Sequence, residues 1–264
     1  MNGEKTICAA RYATTTDSTN SEMWRMTNLA DYDVVFLFAD EQTAGRGQGS
    51  NKWESEAGKN LLFSVALHPT AVPVDRQFAL SMAVAIEMTR LLRPFVGRVK
   101  VKWPNDFYVA DRKIAGILIE NSVRKGMIAT SVVGIGLNVN QTVFRSGAPN
   151  PVSIKQLTGQ EVDLDKLRNA VIRRFLRCSR QLQGDSFDRL KKAYMAALYR
   201  RVGYHTYRDE GGEFLARIVD IAPDGRIVLA DKQGTQHTYA FKEVEYVLPD
   251  KDNKQQTTIR NGKI

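Results

Sequence analysis

Two cysteines and three histidines in 264 residues leave little for a metal cage or a disulfide frame. Cys8 and Cys178 sit far apart with no C-x-x-C spacing, and His68, His205 and His237 are scattered. A reduced, cytoplasmic setting is the simplest reading. No apolar run approaches membrane-spanning length, and the first residues lack the basic-then-apolar pattern of a secretion signal. There is no internal repeat. Absent too is an aromatic-interleaved basic sheet or a helix-turn-helix pattern at the front of the chain.

Basic residues, by contrast, are plentiful, with a net charge of +9. Their distribution argues against a nucleic-acid surface. Lys166 to Arg201 holds eleven Lys or Arg and two acids, on a segment with the spacing of two amphipathic helices. That is a solvated basic face first, and a surface for an acidic protein partner second.

The richest stretch is Ala44-Gly45-Arg46-Gly47-Gln48-Gly49-Ser50-Asn51-Lys52-Trp53, following the apolar run Val34 to Phe38. Alternating glycines let the backbone turn and a ligand approach, while Arg and Lys supply donors for carboxylate or phosphate. The spacing fits neither a Walker loop nor the dinucleotide fingerprint. Alone, it is an anion cradle or an ordinary surface loop with two solvated cations.

In order, the chain predicts a helix capped by Asp17 and Ser18 running to about Ala30, then a buried strand at Val34–Phe38. Another strand, Asn60–Leu67, precedes a helix from Asp75 to Leu92 that is apolar nearly all round and ended by Pro94. Short strands follow at Val99–Trp103, Phe107–Val109, Lys113–Glu120 and Met127–Val139, an antiparallel meander with helices on one face. Pro149 to Pro151 marks a loop before the basic helices. Beyond Arg201 come four short strands, Phe214–Ile221, Arg226–Ala230, His237–Ala240 and Val244–Val247, a small β-barrel-like module. The expectation is an α+β fold with a mixed, largely antiparallel sheet. Its parts are a first domain at 1–200, a small β-domain at 201–250 and a disordered tail at 251–264.

Two further motifs carry chemistry. Lys102-Trp103-Pro104-Asn105-Asp106 sets a cation, an amide and a carboxylate around one turn. Asn and Asp are common turn formers, yet both also offer oxygens of the kind Mg²⁺ accepts beside a nucleotide. Lys113 starts the next strand, where it is either an exposed lysine or a neighbour of Lys102. Gly134-Ile135-Gly136-Leu137-Asn138 is either a bulge or a place of close approach, with Asn138 as donor and acceptor.

Taken together, Ser18-Thr19-Asn20, Gln42-Thr43-Ala44-Gly45-Arg46-Gly47, Trp53, Lys102 to Asp106, Lys113 to Glu120 and Gly136-Leu137-Asn138 resemble the biotin protein ligases. The likeness spans about Thr14 to Asn140, and the C-terminal β-module resembles that family's SH3-like domain. The resemblance implies a biotin/lipoate ligase-like catalytic domain that forms biotinyl-AMP from biotin and ATP. It then transfers biotin to a lysine of a biotin carboxyl carrier protein. By that resemblance Lys113, Arg46 and Lys102 are catalytic. Ser18, Thr19, Asn20, Gln42, Gly45, Arg46, Gly47, Gln48, Lys113 and Gly116 bind biotin. Asn51, Trp53, Lys102, Asn105, Asp106, Lys113 and Asn138 serve ATP and the adenylate, with Mg²⁺ held at Asp106. The glycine stretch becomes a lid over both ligands.

Two departures stand out. DNA-binding bacterial members carry more arginine in the glycine loop, where this chain has Gln48 and Asn51, which implies a looser hold on the adenylate. Those members also carry a helix-turn-helix ahead of the Ser-Thr-Asn motif, so no operator binding is expected here. A lipoate or octanoate ligase of the same superfamily, or a non-catalytic biotin sensor, are the alternatives. The sequence leaves monomer and homodimer open, along with the carboxylase served.

Overall fold

A computed structural model of the chain describes residues 7–145, 150–182 and 187–248. The tail expected at 251–264, and Pro149 of the expected loop, lie outside them. Two compact units are present: Met1–Tyr199 with Ile221–Gly225, and Arg200–Asp220 with Arg226–Ile264.

The first unit is built on a seven-stranded sheet. Its strands are β1 (Cys8–Thr16), β2 (Val34–Gln42), β3 (Leu61–Leu67), β4 (Lys100–Lys102), β5 (Asp106–Val109), β6 (Arg112–Arg124) and β7 (Met127–Leu137), in spatial order β1-β2-β3-β7-β6-β5-β4. Every neighbouring pair in this sheet except β1–β2 is antiparallel, so the sheet is mixed as expected. Continuous apolar runs put β2 and β3 inside the sheet, away from its edges and buried on both faces. β1 was not foreseen. Its mostly exposed Cys-Ala-Ala-Arg-Tyr-Ala-Thr-Thr-Thr has no apolar alternation, and pairing with β2 holds it.

The described residues of this unit also form five α-helices: α1 (Thr19–Arg25), α2 (Phe78–Val96), α3 (Ile154–Thr158), α4 (Leu164–Gln181) and α5 (Phe187–Ala197). Helix α2 has twelve buried residues, in keeping with its all-round apolar sequence. Pro94 does not end it. The ring sits in the last turn and the helix continues to Val96, stopping at Gly97, whose φ of 70° suits only glycine and whose N–H reaches the Arg93 carbonyl at 3.0 Å. The first helix is shorter than its sequence suggests. It closes at Arg25, and a 3-10 turn at Leu29–Asp31 takes up the remaining apolar residues.

The helices do not all lie on one face. Phe63 of β3 meets Phe175 of α4 edge-on, with ring centroids 5.7 Å apart. Ser64, next along the strand, points the other way, to Thr19 and Asn20 of α1. Met23 of α1 is buried in a cluster with Leu29, Val35, Leu37, Ala66 and Val132 on that second face. The expectation of helices on one face is therefore corrected: α1 covers the other. A seven-residue helix with only Thr19, Asn20 and Met23 buried gives a weak apolar stripe, too weak to assign to a face from sequence.

The second unit contains β8 (His205–Asp209), β9 (Gly212–Ile221), β10 (Ile227–Asp231), β11 (Gln236–Tyr239) and β12 (Glu245–Tyr246), in order β11-β10-β9-β8-β12. Among the described residues no pairing joins the two edge strands, so this is an open five-stranded sheet where a closed barrel was expected.

Candidate active site

Register fixes the site. Across five strands, Lys102, Asp106, Gly116, Gly136 and Leu62 form one transverse row. Two residues along each strand, Leu37, Ser64, Gly134 and Leu118 form a second row; Val35, Ala66, Val132 and Glu120 form a third. Side chains alternate with period two, so all three rows face the α1 side. Glycines at 116, 134 and 136 leave a trough there.

What fills the trough answers the question of close approach. A Cβ on Gly136 would stand 2.2 Å from Trp53 Cε2, and one on Gly116 would be 3.3 Å from the same indole. One on Gly134 would stand 2.2 Å from Asn20 Oδ1. Carbon atoms in contact sit about 3.5–4.0 Å apart, so Gly134 and Gly136 admit no side chain without displacing these groups. The register is unbroken here, and the bulge considered for Gly134–Gly136 is absent.

The glycine stretch is a tight hairpin. Gly47 N–H donates to Asn51 O at 2.7 Å, Trp53 N–H donates to Gly45 O at 3.0 Å, and Arg46 and Lys52 pair across it. A Cβ on Gly45 would lie 2.6 Å from the Trp53 carbonyl, which is why that position is glycine. Two buried polar atoms of this hairpin have no hydrogen-bond partner: Trp53 Nε1, a donor, and Gln48 Oε1, an acceptor. Each such atom costs about 1–3 kcal/mol left unmade.

Beside the indole, Lys113 Nζ sits 2.7 Å from Asp106 Oδ1 and 5.8 Å from the Trp53 ring centroid. Lys113, Asp106, Gly116 and Trp53 thus form one constellation. Lys102 joins through its pairing with Asp106, and its ammonium lies 5.7 Å from the Tyr108 ring.

A second constellation gathers round the start of α1. Ser18, Thr19 and Asn20 are buried to 3 % exposure or less. Gln42 Oε1 accepts from Thr19 N–H at 2.7 Å and lies 3.1 Å from Thr19 Oγ1. Ser64 Oγ stands 2.8 Å from Thr19 Oγ1 and 2.6 Å from Asn20 Oδ1. Asp17 fixes the helix start: its Oδ1 accepts from Ser18 N–H at 2.7 Å, and its carbonyl accepts from Ala44 N–H. Above all the hydrogen bond from Arg25, then that from Ser18, holds the Asp17 carboxyl well below the usual range.

Other assigned residues are engaged with backbone. Asn105 Nδ2 donates to Ile117 O at 2.7 Å and ties its turn, which contains the cis Trp103–Pro104 bond, to β6. Asn138 is buried and donates to Val152 O at 3.2 Å. Asn51 is an exposed hairpin residue. Arg46 does not reach toward Asp106; its guanidinium pairs with Glu120 at 2.7 Å and lies 3.4 Å from Ser21. Ser64, Gly134 and Glu120 went unassigned in the sequence, although their period-two relation to Gly136 and Gly116 placed Gly134 and Glu120 on one face.

As a metal centre the site offers little. The described residues hold no group of three or more His, Cys, Asp or Glu suited to an ion. Asp106 supplies one carboxylate, which fits Mg²⁺ bound chiefly through phosphate oxygens and water.

This fold belongs to a known class. Residues 9–138 match the sequence profile of the Biotin/lipoate A/B protein ligase family. The biotin--[acetyl-CoA-carboxylase] ligase of Paracoccus denitrificans is 30% identical over 192 residues, covering 70% of this chain and 79% of that one. The bifunctional ligase/repressor BirA of Bacillus subtilis is 26% identical over 236 residues, 84% of this chain and 70% of its own. In structure, the Aquifex aeolicus biotin protein ligase in complex with biotin and ATP superposes with a TM-score of 0.72, covering 91% of this chain and 99% of that one at 23% identity. The chain belongs to the biotin–[acetyl-CoA-carboxylase] ligase family and is a ligase.

Proposed function

We propose that this ligase activates biotin with ATP and transfers it to a lysine of a biotin carboxyl carrier protein. A biotin carboxylate oxygen attacks the α-phosphorus of ATP, the bond to the bridging oxygen breaks, and pyrophosphate leaves. The carrier lysine, as a neutral amine, then attacks the carbonyl of the mixed anhydride, and AMP departs. The observation that carries this reading is the Lys113–Asp106 pair beside Trp53, at the end of a trough cleared by three glycines.

Each part has a physical task. Two anions must meet in the first step, so cations are needed where they meet, and charge developing at phosphorus needs preorganised donors. Lys113 exchanges its bond to Asp106 for one to the reacting oxygens, and Lys102 adds a second positive charge. Asp106, released from Lys113, is free to hold Mg²⁺, which offsets phosphate charge when bound. The unpartnered Trp53 Nε1 gains an acceptor from the adenylate. Thr19, Asn20, Gln42 and Ser64 give the uncharged bicyclic end of biotin a surface of fixed donors and acceptors. Hydrogen-bond readout of that kind rejects analogues better than an apolar wall does.

The Met1–Tyr199 unit is thus the catalytic domain of the biotin/lipoate ligase type. We assign the open sheet of β8 to β12 to the SH3-like module of the family. A reducing, cytoplasmic setting suits the two free cysteines, and among the described residues no helix is long and apolar enough to cross a membrane. Operator DNA is not among the partners we infer, and a sequence-specific gel shift at physiological salt would contradict that.

ATP–pyrophosphate exchange run with biotin, lipoate and octanoate tests the assignment. Exchange is expected with biotin alone. Exchange supported by lipoate or octanoate and not by biotin would move the enzyme to the other branch of its superfamily. No exchange with any of the three would favour a non-catalytic biotin sensor.

A further inference from the structure

We propose that Glu120, to which the reading above gives no role, is a positioning residue that couples the glycine hairpin to the biotin-facing end of α1. It lies on β6 in the third transverse row, and its carboxylate oxygens are divided between two partners. Oε1 accepts from Arg46 Nη2 at 2.7 Å, and Oε2 accepts from Asn20 Nδ2 at 2.9 Å. Arg46 belongs to the hairpin and Asn20 to α1, so one side chain spans both.

The pair of bonds does two things. An ionised carboxylate only accepts, so the NH₂ end of Asn20 must face Glu120 and the Leu118 carbonyl. Asn20 Oδ1 is then turned to Ser64 Oγ, 2.6 Å away. From Ser64 the chain of polar contacts continues to Thr19 and Gln42. Glu120 thereby sets which atoms the Ser-Thr-Asn motif offers a ligand. Its bond to Arg46 also fixes the hairpin that carries Gln48 and Trp53. The Glu120 side chain is 26 % exposed and that of Arg46 47 % exposed, so the ion pair alone contributes little to stability. Its value is positional: ordering Asn20 and seating the hairpin become one event.

This rests on the site being a biotin site, and the test separates the two claims. Biotin-dependent exchange by the unaltered protein establishes the site; Glu120→Gln then tests the coupling. An amide can accept from only one of the two partners and turns an N–H toward the other. Glu120→Gln is expected to raise the KM for biotin about tenfold, with KM for ATP within about twofold of the unaltered protein and thermal unfolding unchanged. Cleavage by trypsin after Lys52, without ligand, should rise several-fold and be suppressed only at higher biotin. In the double variant with Arg46→Ala, the increase in KM should be smaller than the product of the two single increases, because both changes cut the Arg46–Glu120 tie. A purely structural role would instead raise both KM values together or lower the unfolding temperature. An unchanged biotin KM, or strictly additive effects in the double variant, would overturn the proposal. If Glu120→Gln fails to fold, Arg46→Ala leaves β6 intact, and unchanged cleavage after Lys52 in that variant would overturn it as well.

Discussion

At the scale of single residues, the glycines of β6 and β7 are the most exacting positions in the site. Gly134→Ala puts a methyl 2.2 Å from Asn20 Oδ1, and Gly136→Ala puts one 2.2 Å from the Trp53 ring. Neither group can move without breaking its own contacts, so the two variants should fail differently. Gly134→Ala raises the KM for biotin at least tenfold, whereas Gly136→Ala shifts Trp53 fluorescence and weakens ATP binding by about as much. Equal losses for both ligands in both variants would contradict this division of the trough. Gln48 belongs to the same scale. Its Oε1 is buried without a partner, and by the family resemblance the DNA-binding relatives carry arginine in this loop, so the adenylate we propose has a charged contact fewer here. Biotinyl-AMP should therefore dissociate faster than from those relatives, and Gln48→Arg should slow it about tenfold. Dissociation from the unaltered protein as slow as theirs would remove that account.

The elements show how much of this could be read beforehand and where reading failed. Continuous apolar runs identified β2, β3 and α2, because burial on both faces leaves a plain signature. The edge strand β1 escaped notice, being mostly exposed and held by pairing instead of burial. The face covered by α1 followed from the register of Ser64 against Phe63, a relation between strands that no local pattern carries. Residue types in the site were legible, since Lys113, Asp106, Trp53 and the Ser-Thr-Asn motif are close to one another or to the trough. Their partners were not: Arg46 to Glu120 joins residues far apart in sequence. Helices α2 and α4 allow a chemical check on the core. Cys178 of α4 is fully buried, and burial, with Glu87 of α2 adding to it, pushes its thiol far up and keeps it protonated. Cys8 on β1 is exposed. A thiol reagent at neutral pH should label Cys8 in the native protein and Cys178 only after denaturation. Rapid labelling of both would show that the α2–α4 interior is not closed.

For the whole molecule, a mixed sheet holds two polar constellations on one face while helices α2 and α4 seal the other. In the function we propose, Lys113 sits where the two constellations serve one reaction, and its ion pair with Asp106 gives way to substrate anions. Removing the cation should leave the fold unchanged, since the side chain is partly exposed and lies outside the core clusters. The most direct measurement is transfer of biotin from free biotin and ATP to the lysine of a purified carrier domain, comparing the unaltered enzyme with Lys113→Ala. The unaltered enzyme is predicted to label the carrier, and a folded Lys113→Ala to be slower by at least about a hundredfold, the loss expected for a key donor to developing charge. Normal labelling by Lys113→Ala would contradict the account.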